Sequence, residues 1–146
     1  MRSGRARLVV GPAVAVAVAA LLGACGPPQP PAEVGQCAHW EQLGHAERDG
    51  IETVDCEAEH DAQFVGQFEV EFETFPGQDV IDAQAEPGCL AAFESFVGTE
   101  YSESELRLDW FRPTQESWER TGGQDVLCVA YLPEGTTSAS FEGTGR

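Results

Sequence analysis

Four cysteines spread through the body of this chain limit its fold more than any other feature. Cys37, Cys56, Cys89 and Cys128 follow one another at spacings of 19, 33 and 39 residues. An even set in an exported chain is what a two-disulfide framework requires. Of the three possible pairings, the favoured one joins Cys37 to Cys56 and Cys89 to Cys128. The first closes the N-terminal segment locally, and the second joins a helix to the last strand. Loops of these lengths each stabilise by about 3–4 kcal/mol in the chain-entropy model. The alternative, a zinc site, lacks any C-x-x-C pair, so no metal or other cofactor is expected.

A fifth cysteine, Cys25, stands apart. Before it come Arg2, Arg5 and Arg7, an apolar stretch from Leu8 to Leu22, and the small pair Gly23-Ala24. That order is the layout of a secretory signal over residues 1–24. Leu22-Gly23-Ala24-Cys25 has the form of a lipobox, in which the thiol of Cys25 can be thioether-linked to diacylglycerol. The competing reading is an uncleaved span, since Leu8 to Cys25 covers 18 residues and a membrane helix needs roughly 17–25. Gly11-Pro12 and the run of alanines weigh against it. Residues 25–34 then form a proline-rich, extended tether. The expectation is a domain held by lipid on the outer face of the cytoplasmic membrane of a Gram-positive-type bacterium.

Beyond residue 24 there are five arginines, no lysine and all 25 acidic residues, a formal charge of −20. Such a surface repels nucleic acid, which removes that class of partner. The folded part, Val34 to Leu132, is about 100 residues, the size of one modest domain.

Ala62 to Glu73 alternates, with Phe64, Gly66, Phe68, Val70 and Phe72 expected on one face and the glutamates on the other. Gln78 to Val97 reads as a helix that Pro87-Gly88 kinks or splits, ended by Gly98 in the left-handed conformation. Glu105 to Arg112 alternates again and Pro113 stops it. Thr114 to Arg120 reads as a turn or short helix, and Asp125 to Leu132, apolar on both faces, as a central strand. The fold class is therefore α+β, a small antiparallel sheet covered by one kinked helix and stapled by two disulfides. The Gly-, Ser- and Thr-rich tail from Pro133 is expected to be ordered only in part.

The run Cys56-Glu-Ala-Glu-His60-Asp61-Ala-Gln63-Phe-Val65-Gly66 resembles the "C-x-x-x-H-D-x-E/Q-x-V-G" signature of the septum formation domain family. Later landmarks follow in the same order: Cys89 with Phe93 and Gly98, Pro113 five residues before Trp118, Cys128, and a closing Ser140-Phe141-Glu142-Gly143. The likeness covers residues 35–143. One departure is Arg120-Thr-Gly-Gly-Gln-Asp125, where relatives carry "G-D-R". The resemblance implies an exported or membrane-tethered domain linked to septation.

The histidines are His39, His45 and His60, and His60-Asp61 is the pair best suited to acid–base work. Neighbours on a strand point to opposite faces, however, so the pair is expected to fix the turn entering the first strand. Nucleophile elbows, phosphate loops and zinc-protease helices are absent, and Glu103 with Glu105 is uninformative among so many acids. No enzyme is expected. Trp40, Trp110 and Trp118 are candidate contact residues; Trp110 is assigned to the core, and Trp118 with Pro113 to an exposed loop that meets an envelope or division protein. The alternative is a cation- or small-ligand-binding lipoprotein using the row Glu69, Glu71 and Glu73.

Overall fold

The computed structural model describes residues 31–44 and 50–146. The expected signal segment, Cys25, most of the expected tether and His45 lie outside the described residues. In chain order the elements are β1 (Cys37–Ala38), α1 (Trp40–Leu43), β2 (Ala62–Glu69), α2 (Gln78–Val97), β3 (Arg107–Phe111), α3 (Gln115–Thr121) and β4 (Asp125–Tyr131), with a 3-10 turn at Tyr101–Glu103. The strands form one antiparallel sheet in the order β1-β2-β4-β3. This is the expected α+β architecture, with β1 as an additional short strand. Both favoured disulfides are present, Cys37–Cys56 and Cys89–Cys128, with Cα–Cα distances of 5.2 and 5.4 Å.

The strands end where their ladder partners end. Glu69 pairs with Asp125, the first residue of β4, so β2 stops there rather than at Glu73; Arg107 pairs with Tyr131, the last, so β3 begins there rather than at Glu105. Inside β2 the register slips between Phe64 and Gly66. A bulge inserts one residue and shifts the parity of everything before it. Phe64 accordingly packs with Ala62, Leu127 and Val129, while Val65 and Phe68 pack with α2. The single apolar face expected for Phe64 through Phe72 is thus divided between the two sides of the sheet.

On one side lies α2, which buries Ile81, Ala85, Cys89, Phe93 and Val97, a stripe at every fourth position. It runs through Pro87 without a break. Close approach is built into both partners. A Cβ on Gly66 would collide with Ala92, and one on Gly88 would collide with the Phe68 ring. Gly98 ends the helix at φ 87°, its N–H donating to Glu94 O at 3.0 Å. The other side of the sheet is covered by the N-terminal segment, through Ala32, Ala38, Leu43 and Ile51.

The C-terminal tail is described to Arg146 and is integral to the fold, contrary to the partial order expected from its composition. Phe141 is fully buried against the α2 side. Gly143 and Gly145 donate at 2.8 Å to the carbonyls of Phe96 and Val97, which the end of α2 leaves without helical partners. Composition misled because one buried aromatic and a few backbone bonds suffice to order a short strap.

Candidate functional site

The cysteine–histidine–aspartate signature sits where three segments meet. His60 exchanges backbone hydrogen bonds with Thr137, at 2.9 and 2.8 Å. Its ring is fully buried, 5.8 Å from that of Phe141. Nδ1 lies 2.9 Å from Ala58 O. A carbonyl only accepts, so Nδ1 carries the proton and donates. Nε2 has no hydrogen-bond partner among the described residues. Asp61 points the other way, as strand geometry requires, and its Oδ1 accepts from Trp40 N at 2.6 Å. That contact caps the start of α1, for which the N-cap residue His39 supplies no side-chain bond. Asp61 therefore holds a segment 21 residues upstream rather than its own turn.

Gln63 completes this junction, and only its place in the signature marked it beforehand. It is 1% exposed. Its Nε2 donates to Gly35 O at 2.9 Å, and its Oε1 accepts from Phe141 N at 2.6 Å. The Ser140 hydroxyl lies within 3.2 Å of the same amide. One buried carboxamide thus ties the N-terminal segment, β2 and the tail together, beside the Cys37–Cys56 bridge. The signature reads as a set of fasteners.

Pro113 and Trp118 do not form an exposed contact loop. Both are buried. Trp118 lies on α3 and turns inward, packing edge-on against Phe75 with ring centroids 5.8 Å apart. The short helix is the reason: Thr114 caps it, accepting from Ser117 N, and helical rotation then places Trp118 opposite the solvent face. What α3 does present is its outer side, Gln115, Glu116 and Arg120, all exposed. These line a groove of about 860 Å³ whose other walls are Pro31 to Glu33, Gln67 and Phe111. His60 and Asp61 take no part in it.

The remaining tryptophans are half-buried. Trp110 packs against the α2 side and donates its indole N–H to Asp82 Oδ1 at 3.1 Å. Trp40 stacks on Tyr131, with centroids 3.7 Å apart and planes within 2°. Burial pushes the Tyr131 phenol above its ordinary value, helped by the charge of Asp109 and by Tyr101, with Arg107 opposing. Of the acidic row, only Glu69 belongs to β2, and among the described residues no cluster of His, Cys, Asp and Glu could hold a metal ion. Glu105 is taken up by Arg146 at 2.6 Å.

These features define a disulfide-stapled α+β domain whose most distinctive polar residues fasten its own segments. Residues 29–139 match the family model described as septum formation, and the chain belongs to that family. Comparison with curated proteins returns no match, and comparison with solved structures likewise returns none.

Proposed function

We propose that this chain is a lipid-anchored interaction module, displayed outside the cytoplasmic membrane, that acts without catalysis in septum formation by docking another envelope or division protein. The observation that carries this reading is the groove between α3 and the segment Pro31 to Glu33. One of its walls is the last part of the proline-rich tether, so a partner held there lies where the domain joins its anchor. Family membership supports the link to septation. The inward-turned, fully buried His60 favours a fold-holding role over acid–base work.

A photo-crosslinking residue placed at Gln115, exposed on α3, tests the docking surface in dividing cells. The expected result is a defined envelope or division protein captured from this position and not from a control position at Glu52, on the exposed N-terminal segment. Equal capture from both positions would remove the groove as the docking surface. The anchor is tested separately by fractionation. Cys25→Ala is expected to release the domain from the lipid-modified membrane fraction, and unchanged lipid labelling would overturn the anchor.

A further inference from the structure

Next to that groove, across Phe111, a smaller cleft opens between α1 and β3. It has a volume of about 130 Å³, with Trp40 and Phe111 as walls and Val129 as floor. Drug-sized ligands take pockets of roughly 300–1,000 Å³, so this cleft fits one side-chain end rather than a whole small molecule. Asp109 also lines it, and its residue is exposed. Asp109 Oδ1 accepts from the backbone N–H of Trp110 at 2.7 Å, which fixes the carboxylate and occupies one of its oxygens.

The charge of Asp109 is not taken up by Arg107. Arg107, two residues earlier on β3, donates its Nη1 to Leu106 O at 3.2 Å. Among the described residues the salt bridges join Arg112 to Asp82, Arg120 to Glu116 and Arg146 to Glu105, and leave Asp109 without one. Aromatic walls around a carboxylate favour a cation, through the negative faces of the rings and direct attraction. Burial first and this carboxylate second raise the Tyr131 phenol, the ring on which Trp40 stacks. Beyond residue 24 the chain carries a charge of −20 and no lysine, so a cationic guest is steered toward it and has no competitor of that kind from within.

We propose that this cleft receives the ammonium of a lysine side chain from a partner polypeptide. The ammonium is preferred over a guanidinium because the planar fork of arginine seeks both carboxylate oxygens, one of which Asp109 gives to Trp110 N. The inference rests on the reading of the domain as an interaction module and gives its partner a chemical character.

The test is a titration of the full chain, in detergent, with a blocked pentapeptide carrying one central lysine, followed by NMR at the Trp40 indole and the Asp109 and Trp110 backbone amides. Counterpart peptides carry acetyl-lysine or arginine at the centre. Saturable shifts confined to these positions are expected with lysine, absent with acetyl-lysine and at least tenfold weaker with arginine. Asp109→Asn keeps an acceptor for Trp110 N and removes the charge, and is expected to weaken lysine binding at least tenfold without altering the fold. Equal shifts with acetyl-lysine, equal affinity for arginine, or undiminished binding by the Asn variant would each overturn the proposal. Loss of the peptide result with crosslinks from Gln115 intact removes the cleft and leaves the docking module. Intact peptide binding without crosslinks does the reverse.

Discussion

The two sides of the sheet are closed by different means. The α2 side is shut by a 20-residue helix bolted through Cys89–Cys128, with glycine and alanine at Gly66, Gly88 and Ala92 letting backbone and ring approach closely. The opposite side is covered by a short helix and irregular chain, held by Cys37–Cys56 and the Asp61 cap, and it opens into a groove and a cleft. Dense packing gives stability and leaves no room for a partner. A cover made of short pieces gives less stability and leaves recessed, partly polar surface. Close packing and recessed surface thus fall on opposite faces of one sheet.

Trp118 gives the sharpest way to break this comparison. It belongs to the α2-side core and is 8% exposed. Trp118→Ala is expected to cost about 3–5 kcal/mol, as truncating a buried aromatic does. Urea unfolding followed by circular dichroism checks it. A loss below about 1 kcal/mol would place Trp118 at the surface after all and return it to the contact set.

The disulfides rank next and compare the two faces directly. Removing the pair with Cys89→Ala and Cys128→Ala is expected to cost about 4 kcal/mol, and the pair Cys37→Ala and Cys56→Ala about 3 kcal/mol, from loop length alone. Loop length separates them by less than the covers do. On the α2 side the loss is expected to appear as lower global stability in urea. On the other side it is expected to appear first as hydrogen exchange in residues 32–44 and 50–54, at free energies below global unfolding. Identical exchange patterns in the two variants would mean that the faces are not independent.

Much of this plan was legible in the sequence because its signals are local. The α2 boundaries, the Gly98 terminus and the helix-to-strand disulfide follow from periodicity, a left-handed cap and cysteine placement. The division of β2 was not legible. Ala62 to Phe72 alternates without fault, and only the partner strand decides that a residue bulges at Phe64–Gly66. The inward turn of Trp118 depended on a capping box made by Thr114 and Ser117, where the third position after the cap is serine rather than the usual glutamate or glutamine. The tail hid for a similar reason, since the group that holds Phe141 is Gln63, 78 residues away. The groove and cleft join segments remote in sequence, so no spacing announces them.

Gln63 sharpens the comparison at moderate cost. Gln63→Ala leaves Gly35 O and Phe141 N unpaired, and is expected to destabilise by about 1–3 kcal/mol for buried groups that lose their partners. That amide reaches the α2-side core through Phe141 and makes no hydrogen bond to α2 itself, so exchange within α2 is expected to stay slow. Residues 137–146 are expected to exchange faster, together with the Gly35 segment. If only one of those segments loosens, the junction is two separate contacts rather than one fastener.

Tyr131 offers the smallest and most local effect, on the side with the thinner cover. Its phenol is raised, first by burial and then by the charges of Asp109 and Tyr101. A group whose value is higher in the folded state contributes stability that is fully present below its unfolded value, near 10.0, and is lost as pH rises through the folded value. Stability is therefore expected to fall through this group as pH rises above 10. Tyr131→Phe keeps the stack on Trp40 and removes the ionisation, so its stability is expected to decline less over that range. Absorbance at the phenolate band reports the titration directly, and one of the two tyrosines is expected to ionise late in the wild type. Asp109→Asn removes the second-largest cause and is expected to bring that late step back toward 10, whereas no movement would mean that the carboxylate does not act on the aromatic pair.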